Sequence, residues 1–261
     1  MRFVYGPVPS WRLGRSLGVD ALGGGQKRCT YDCVYCQLGP TPRGPILCDA
    51  WVNATLLAEE LRAMRDVPVD YITFSGMGEP TLAANLGDLM RTAREVGNAP
   101  LAVLTNASMM NIPSVQEALC LADVVVVKLD AGEERMFREV NRPRCACSLA
   151  EVMQGICTFR QRFGGRLALQ MMFVAANAGQ AEMLAALARK LRPDEVQINT
   201  PLRPSPTPPL PSPVLTGIAR VFDGLPVRQV YEVTKPEVII LDPVATRRRR
   251  PEHRPDEGGR Q

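Results

Sequence analysis

Short apolar runs alternate with helical patterns along most of this chain, and the runs are apolar on both faces. Val124-Val125-Val126-Val127 shows it best: four β-branched residues in a row leave no polar position for a solvated face. Strands buried on both sides belong to parallel sheets covered by helices. The pattern predicts strands around 16–21 and at 69–74, 101–104, 124–127, 167–174 and 195–199. Helices are predicted at 53–65, 84–96, 114–122, 149–163 and 181–191. That is about six β/α units in an α/β fold. Polar and glycine-bearing segments fall just after the strands, where active sites gather in barrels and in open doubly wound sheets alike. Periodicity alone leaves those two architectures open.

With 261 residues and 46% hydrophobic content, the chain is long enough for one large domain. No apolar run approaches the ~18 residues of a membrane span, and the start has no apolar stretch of signal-peptide length. A soluble, cytoplasmic protein without a membrane partner is expected. Six prolines between 204 and 213 mark an extended connector, followed by a helix at 214–222 and a strand at 227–233. The core domain is thus expected over 1–240, with 241–261 as a disordered basic tail. The net charge of +4 belongs mostly to that tail: residues 246–261 carry six arginines against three acids, leaving the body 25 basic and 24 acidic residues. A run such as Arg247-Arg248-Arg249-Arg250 reads as solvated, with RNA contact as the alternative.

Chemistry enters with Cys29-Thr30-Tyr31-Asp32-Cys33-Val34-Tyr35-Cys36. Clustered cysteines without a secretory signal favour a metal over a disulfide framework. Three thiolates at this spacing can hold three corners of a [4Fe–4S] cubane, whose electron-transfer versions take four. They also suit zinc. Cys145-Ala146-Cys147 could seed a second metal site with a distant cysteine such as Cys48. A second signal follows the strand at 69–74: in Gly76-Met77-Gly78-Glu79-Pro80 the glycines allow close approach of backbone to a ligand, and the carboxylate offers an acceptor.

Cys-x3-Cys-x2-Cys with an aromatic before the last cysteine, followed about forty residues later by Gly76 to Pro80, resembles the radical S-adenosylmethionine (SAM) superfamily. Tyr5-Gly6-Pro7-Val8-Pro9-Ser10, residues 12–20, Asn141-Arg142-Pro143 and Val196 to Pro201 extend the likeness over roughly residues 1–240. They resemble a branch of small stand-alone Fe–S oxidoreductases related to the wyosine-forming tRNA enzymes. The resemblance implies a partial (β/α)6 TIM-like barrel, with a [4Fe–4S] cluster on Cys29, Cys33 and Cys36 and SAM chelating the open iron. It also implies that Gly76, Met77, Gly78 and Glu79 meet the amino group of SAM, and that Tyr35 lies near the adenine. Thr105, Asn106, Lys128 and Asp130 are placed toward the ribose, the carboxylate or the substrate. Gln170 and Met172 are placed toward ribose or adenine, and Asn199 toward adenine.

The implied reaction takes one electron from an external donor of flavodoxin or ferredoxin type. SAM is cleaved to methionine and a 5′-deoxyadenosyl radical, which abstracts hydrogen from a substrate the sequence does not name. The protein supplies orientation and water exclusion. A catalytic acid, if one operates, is Asp130 or Lys128. The rival substrates are a tRNA base and a peptide, and the nearly neutral body argues against an extended phosphate-binding surface. A non-enzymatic zinc or Fe–S module is the third reading; it needs a fourth protein ligand. His253 is the only histidine, which argues against histidine-based chemistry, and no phosphate-binding Gly-x4-Gly-Lys-Ser/Thr loop is present.

Overall fold

The computed structural model describes residues 2–251. One eight-stranded sheet runs in strict sequence order: β1 (Val4–Ser10), β2 (Gly14–Val19), β3 (Tyr71–Phe74), β4 (Leu101–Thr105), β5 (Val124–Lys128), β6 (Arg166–Met172), β7 (Glu195–Asn199) and β8 (Val227–Gln229). From β2 onward every neighbour is parallel, while β1 pairs antiparallel with β2. A doubly wound sheet reverses its strand order at a switch point. Here there is no reversal, and the sheet curls into an open half-barrel, as the barrel reading required. The six expected strands correspond to β2 through β7. The hairpin strand β1 was not anticipated, because Gly6, Pro7 and Pro9 interrupt any strand pattern.

The helices are α1 (Ala54–Ala63), α2 (Leu86–Val96), α3 (Pro113–Leu119), α4 (Glu134–Met136, continuing as a π turn over Phe137–Asn141), α5 (Leu149–Arg162), α6 (Ala181–Leu191), α7 (Ser212–Arg220) and α8 (Pro243–Arg249). Each start has a local cause where the sequence supplies one. The Asn53 side chain accepts from the N–H groups of Thr55 and Leu56 at 2.9 and 3.1 Å, and Ser148 with Glu151 forms a capping box on α5.

Strand alternation splits the sheet into two faces. Val103, Val125, Val127, Leu167, Leu169 and Ile198 join the main core under the helices. Ala102, Val124, Val126 and Ala168 form a smaller apolar patch on the other face, inside the curl. Continuing that second parity to the carboxyl ends of the strands brings Lys128, Gln170, Met172 and Asn199 to the cavity inside the curl.

The expected disorder from 241 is corrected over its first part. Pro243–Arg249 is a helix capped by Asp242, whose side chain accepts from the Ala245 N–H at 2.9 Å. Ala245 packs with Tyr5 and Val8 of β1. Arg249 is 2% exposed, its Nε donating to Asp20 at 2.8 Å and its Nη2 to the Arg2 carbonyl at 2.7 Å. A side chain at Gly24 would strike that guanidinium, so the glycine makes room for an ordered contact. The remainder of the predicted tail, with His253, lies outside the described residues.

Candidate active site

The cysteines sit on the long segment between β2 and α1, which has almost no regular structure of its own. It is strapped to its surroundings through backbone bonds. Arg28 bridges to Gly78: its N–H donates to the Met77 carbonyl at 2.8 Å, and its carbonyl accepts from the Glu79 N–H at 2.9 Å. Further along, Tyr31 bridges to Pro143, and the N–H groups of Asp32 and Val34 donate to the carbonyls of Arg142 and Val140, both at 3.0 Å. The π turn ending at Arg142, with φ of 48°, presents those carbonyls. Asn141-Arg142-Pro143 is therefore a docking edge for the cysteine segment.

The Gly76–Pro80 turn owes its glycines to crowding. At Gly78, with φ of +148°, a Cβ would lie 1.6 Å from the Arg28 carbonyl oxygen. At Gly76, with φ of +146°, it would lie 2.5 Å from Cγ of Asp20. Neither site admits another residue without moving the cysteine segment or β2. Met77 turns its side chain into the protein and does not line the cavity.

Glu79 is 2% exposed and already engaged. Its carboxylate accepts from the Thr105 hydroxyl, the Thr81 hydroxyl and the Asn106 N–H, each at 2.7 Å. Expected as a side-chain partner for an ammonium group, it lines the cavity and also ties the end of β3 to the end of β4. Burial pushes its pKa up, and the donors from Asn106, Thr105 and Thr81 oppose that shift. Asn106 extends the tie: its Nδ2 donates to Thr30 Oγ1 at 2.8 Å and approaches Cys29 Sγ at 3.6 Å.

A second carboxylate organises the other side. Asp130 is also 2% exposed and does not line the cavity. It accepts from the Tyr35 hydroxyl, from Asn141 Nδ2 at 2.7 Å and from the Met172 N–H at 2.7 Å. Lys128 Nζ lies 3.7 Å from it, donates to Gln170 Oε1 at 3.1 Å and stands 4.9 Å over the Tyr35 ring. Asn141 Nδ2 also approaches Cys33 Sγ at 3.7 Å. Asp130, expected toward SAM or the substrate, sits behind the cavity lining in a buried junction that fixes Tyr35 between two of the cysteines.

Burial pushes the Cys29 thiol up to about 12 and the Cys33 thiol up to about 11. Such thiols lose their protons to a bound metal rather than to water. Among the described residues, no three His, Cys, Asp or Glu side chains converge tightly enough to hold a single ion. The same observation leaves Cys145 and Cys147, whose sulfurs lie 2.9 Å apart, without a third ligand; Cys48 is exposed.

One cavity of about 340 Å³ gathers these elements. Cys29, Cys33, Tyr35, Cys36, Gly76, Gly78, Glu79, Thr105, Asn106, Lys128, Gln170, Met172 and Asn199 all line it; of the expected site residues, only Met77 and Asp130 do not. Asn141 and the basic residues of the mouth were not anticipated as site residues. Asn141 lay in a motif already visible in the sequence, but nothing local announced its reach to Cys33 and Asp130.

Residues 25–188 match the family model described as the radical SAM superfamily. The chain is 40% identical over 204 residues to the UPF0026 protein slr1464 of Synechocystis sp., covering 78% of this chain and 77% of that one. It is 31% identical over 245 residues to the UPF0026 protein MJ1312 of Methanocaldococcus jannaschii, covering 86% and 72%. Among solved structures, Streptococcus suis SuiB bound to S-adenosylmethionine superposes with a TM-score of 0.62 at 15% identity, over 78% of this chain and 48% of that one. The present chain thus spans about half the length of SuiB. Archaeal TYW1 superposes with a TM-score of 0.54 at 13% identity, over 81% and 72%. These two likenesses concern the fold. No helix among the described residues is long and apolar enough to cross a membrane. By its cysteine segment, its half-barrel and the family match, the chain belongs to the radical SAM superfamily of enzymes, within the stand-alone UPF0026 branch.

Proposed function

We propose that this protein holds a [4Fe–4S] cluster on Cys29, Cys33 and Cys36 and cleaves SAM reductively in the half-barrel to initiate hydrogen abstraction from a substrate. The observation that carries the reading is that the three thiols, the Gly76–Glu79 turn and the ends of β4 to β7 line one cavity. The donor set fits the cluster: three cysteines line the cavity and no fourth does among the described residues, which leaves one iron for SAM. The cavity also offers a buried polar group in need of a partner, because Gln170 Nε2 has none. When bound and reduced, the cluster supplies the electron that splits the sulfonium C–S bond of SAM into methionine and a 5′-deoxyadenosyl radical.

The chain's own residues do the rest by position. Tyr35 packs the cysteine segment, because its hydroxyl is committed to Asp130. Asn106 and Asn141 aim side-chain N–H groups at Cys29 and Cys33; donors toward thiolate sulfur stabilise its negative charge and tune a cluster's potential. Glu79 locks the Gly76–Gly78 backbone against β4, leaving main-chain groups of that turn to meet the ammonium of SAM. Gln170, Met172 and Asn199 line the wall where ribose and adenine would lie. The electron comes from an external one-electron donor.

The test is anaerobic loading with iron and sulfide, followed by dithionite and SAM. The wild type is expected to retain about four irons per chain and to form 5′-deoxyadenosine, and Cys33→Ala to form none. Stable binding of a single zinc, with no deoxyadenosine from the wild type, would overturn the proposal.

A further inference from the structure

Cys145 and Cys147 take no part in the chemistry proposed above, yet their sulfurs lie 2.9 Å apart. They stand on the loop between the Phe137–Asn141 turn and α5. A disulfide bond is about 2.05 Å long, so closure by less than about 1 Å separates the two thiols from a bond. The backbone favours that closure. The Cys147 N–H donates to the Cys145 carbonyl at 2.9 Å, which makes a three-residue turn and draws the two Cα atoms together, as a disulfide between them requires. The loop is pinned on both sides. The Arg144 N–H donates to the Thr30 carbonyl at 2.8 Å, Arg138 Nη2 donates to the Cys147 carbonyl at 3.2 Å, and Ser148 caps α5 with Glu151.

The two thiols are unequal. The Cys145 thiol, hydrogen-bonded to the Cys147 sulfur, holds Cys147 below its ordinary value of 9.0; Tyr31 and the Arg138 charge add to this, while burial and Glu151 oppose it. Cys145 is pushed the opposite way, first by that same hydrogen bond and then by burial. Thiol–disulfide exchange starts from a thiolate, and here one sulfur is eased toward that form while its neighbour keeps the proton. Access comes from the other member of the pair. Cys147 is 8% exposed, whereas Cys145 is half-buried and Ala146 between them is exposed. Neither sulfur stands proud of the surface, so the partner that fits is a small disulfide rather than a protein face. A single metal ion does not account for the pair, because among the described residues no third His, Cys, Asp or Glu side chain joins it.

We propose that Cys145 and Cys147 are a redox-active dithiol that exchanges with a low-molecular-weight disulfide and closes into an intrachain disulfide. One sulfur attacks the external disulfide and releases one thiol; the other attacks the mixed disulfide and releases the second. One external S–S bond breaks and one S–S bond forms in the protein. Two electrons and two protons pass from the pair to the two released thiols. Pro143 and Arg144 pair with Tyr31 and Thr30, so the exchange takes place against the segment that carries Cys29. It does not depend on the cluster.

Glutathione disulfide is the probe, incubated anaerobically at neutral pH with the reconstituted full chain. Free thiols are then blocked with N-ethylmaleimide and the protein is digested with trypsin. Cleavage after Arg144 and Arg160 gives a peptide with Cys145, Cys147 and Cys157; cleavage after Arg28 and Arg43 gives a separate one with Cys29, Cys33 and Cys36. In the wild type the first peptide is expected to lose two hydrogens in mass, with Cys145 and Cys147 unlabelled until dithiothreitol restores them. Cys145→Ser and Cys147→Ser should each lose this closure, and Cys147→Ser should stop at a glutathione adduct on Cys145. Cys157→Ser should close as the wild type does. Maleimide or glutathione remaining on Cys145 or Cys147 of the wild type, or a bond that includes Cys157, overturns the proposal. Failure to load the cluster shows in the other peptide, so the two readings fail separately.

Discussion

Arg249 and Arg250 are adjacent in sequence and opposite in situation. Arg249 is buried, paired with Asp20 and packed over Tyr5 at 5.2 Å. Arg250 stands half-buried at the cavity mouth among other cations. The contrast runs through the whole site. Beneath the cavity, Glu79 and Asp130 are surrounded by donors, and each ties two or more segments together. At the mouth, Arg12 and Arg250 line the cavity, and the Arg12 Nε is buried without a hydrogen-bond partner. A satisfied buried network gives rigidity, which a reaction that must keep water away from a reactive intermediate needs. A buried donor left open is a place for a ligand to bond. The difference separates residues that hold the site from residues that wait for its occupant.

Substitutions should split along the same line. Arg249→Ala has the largest expected effect. It leaves the Asp20 carboxylate buried and unpaired, and should cost about 3–5 kcal/mol in urea unfolding. Because Asp20 backs Gly76, it should loosen the Gly76–Glu79 turn as well. Glu79→Ala comes next. It strands the donors of Thr105, Thr81 and Asn106, and a loss of about 3 kcal/mol is expected by the same measurement. Asp70→Asn should do less, and its cost should appear above the Asp70 titration and vanish in acid, where the wild type has lost the same stabilisation. The Arg15 side chain hydrogen bond holds the Asp70 carboxyl below its ordinary value of 3.8. Its stabilisation is therefore present above that value and is lost as pH falls through the lowered one. The variant should lack that acid-side loss, seen as a slightly flatter stability curve at the low end of pH. Arg12→Ala should change folding stability least, within about 0.5 kcal/mol. A large destabilisation there would erase the distinction between the two regions.

The sequence disclosed the parts of this molecule whose cause is local. Apolar runs such as Val124 to Val127 carry their own signal and correspond to strands in place, and the three closely spaced cysteines line one cavity. What escaped depends on partners far along the chain. Arg249 meets Asp20 across 229 residues, so the composition around it reads only as solvated charge. Glu79 looked free to bind an ammonium group because its donors, Thr105 and Asn106, arrive from the next strand. Asp130 ends β5 as a catalytic group would, yet Tyr35 and Asn141 close over it. The strand β1 was hidden by its prolines. The nearly even charge of the body hid which basic residues line the cavity, because a sum over residues contains nothing about where folding gathers them.

The most direct test of the central claim, a three-cysteine cluster with one iron open to SAM inside this half-barrel, is electron paramagnetic resonance. The reconstituted protein is reduced anaerobically and its spectrum taken before and after SAM is added. The account predicts a [4Fe–4S]⁺ signal whose g-values change on SAM binding, and no such signal in Cys33→Ala. A wild-type signal indifferent to saturating SAM, or no cluster at all, would contradict it.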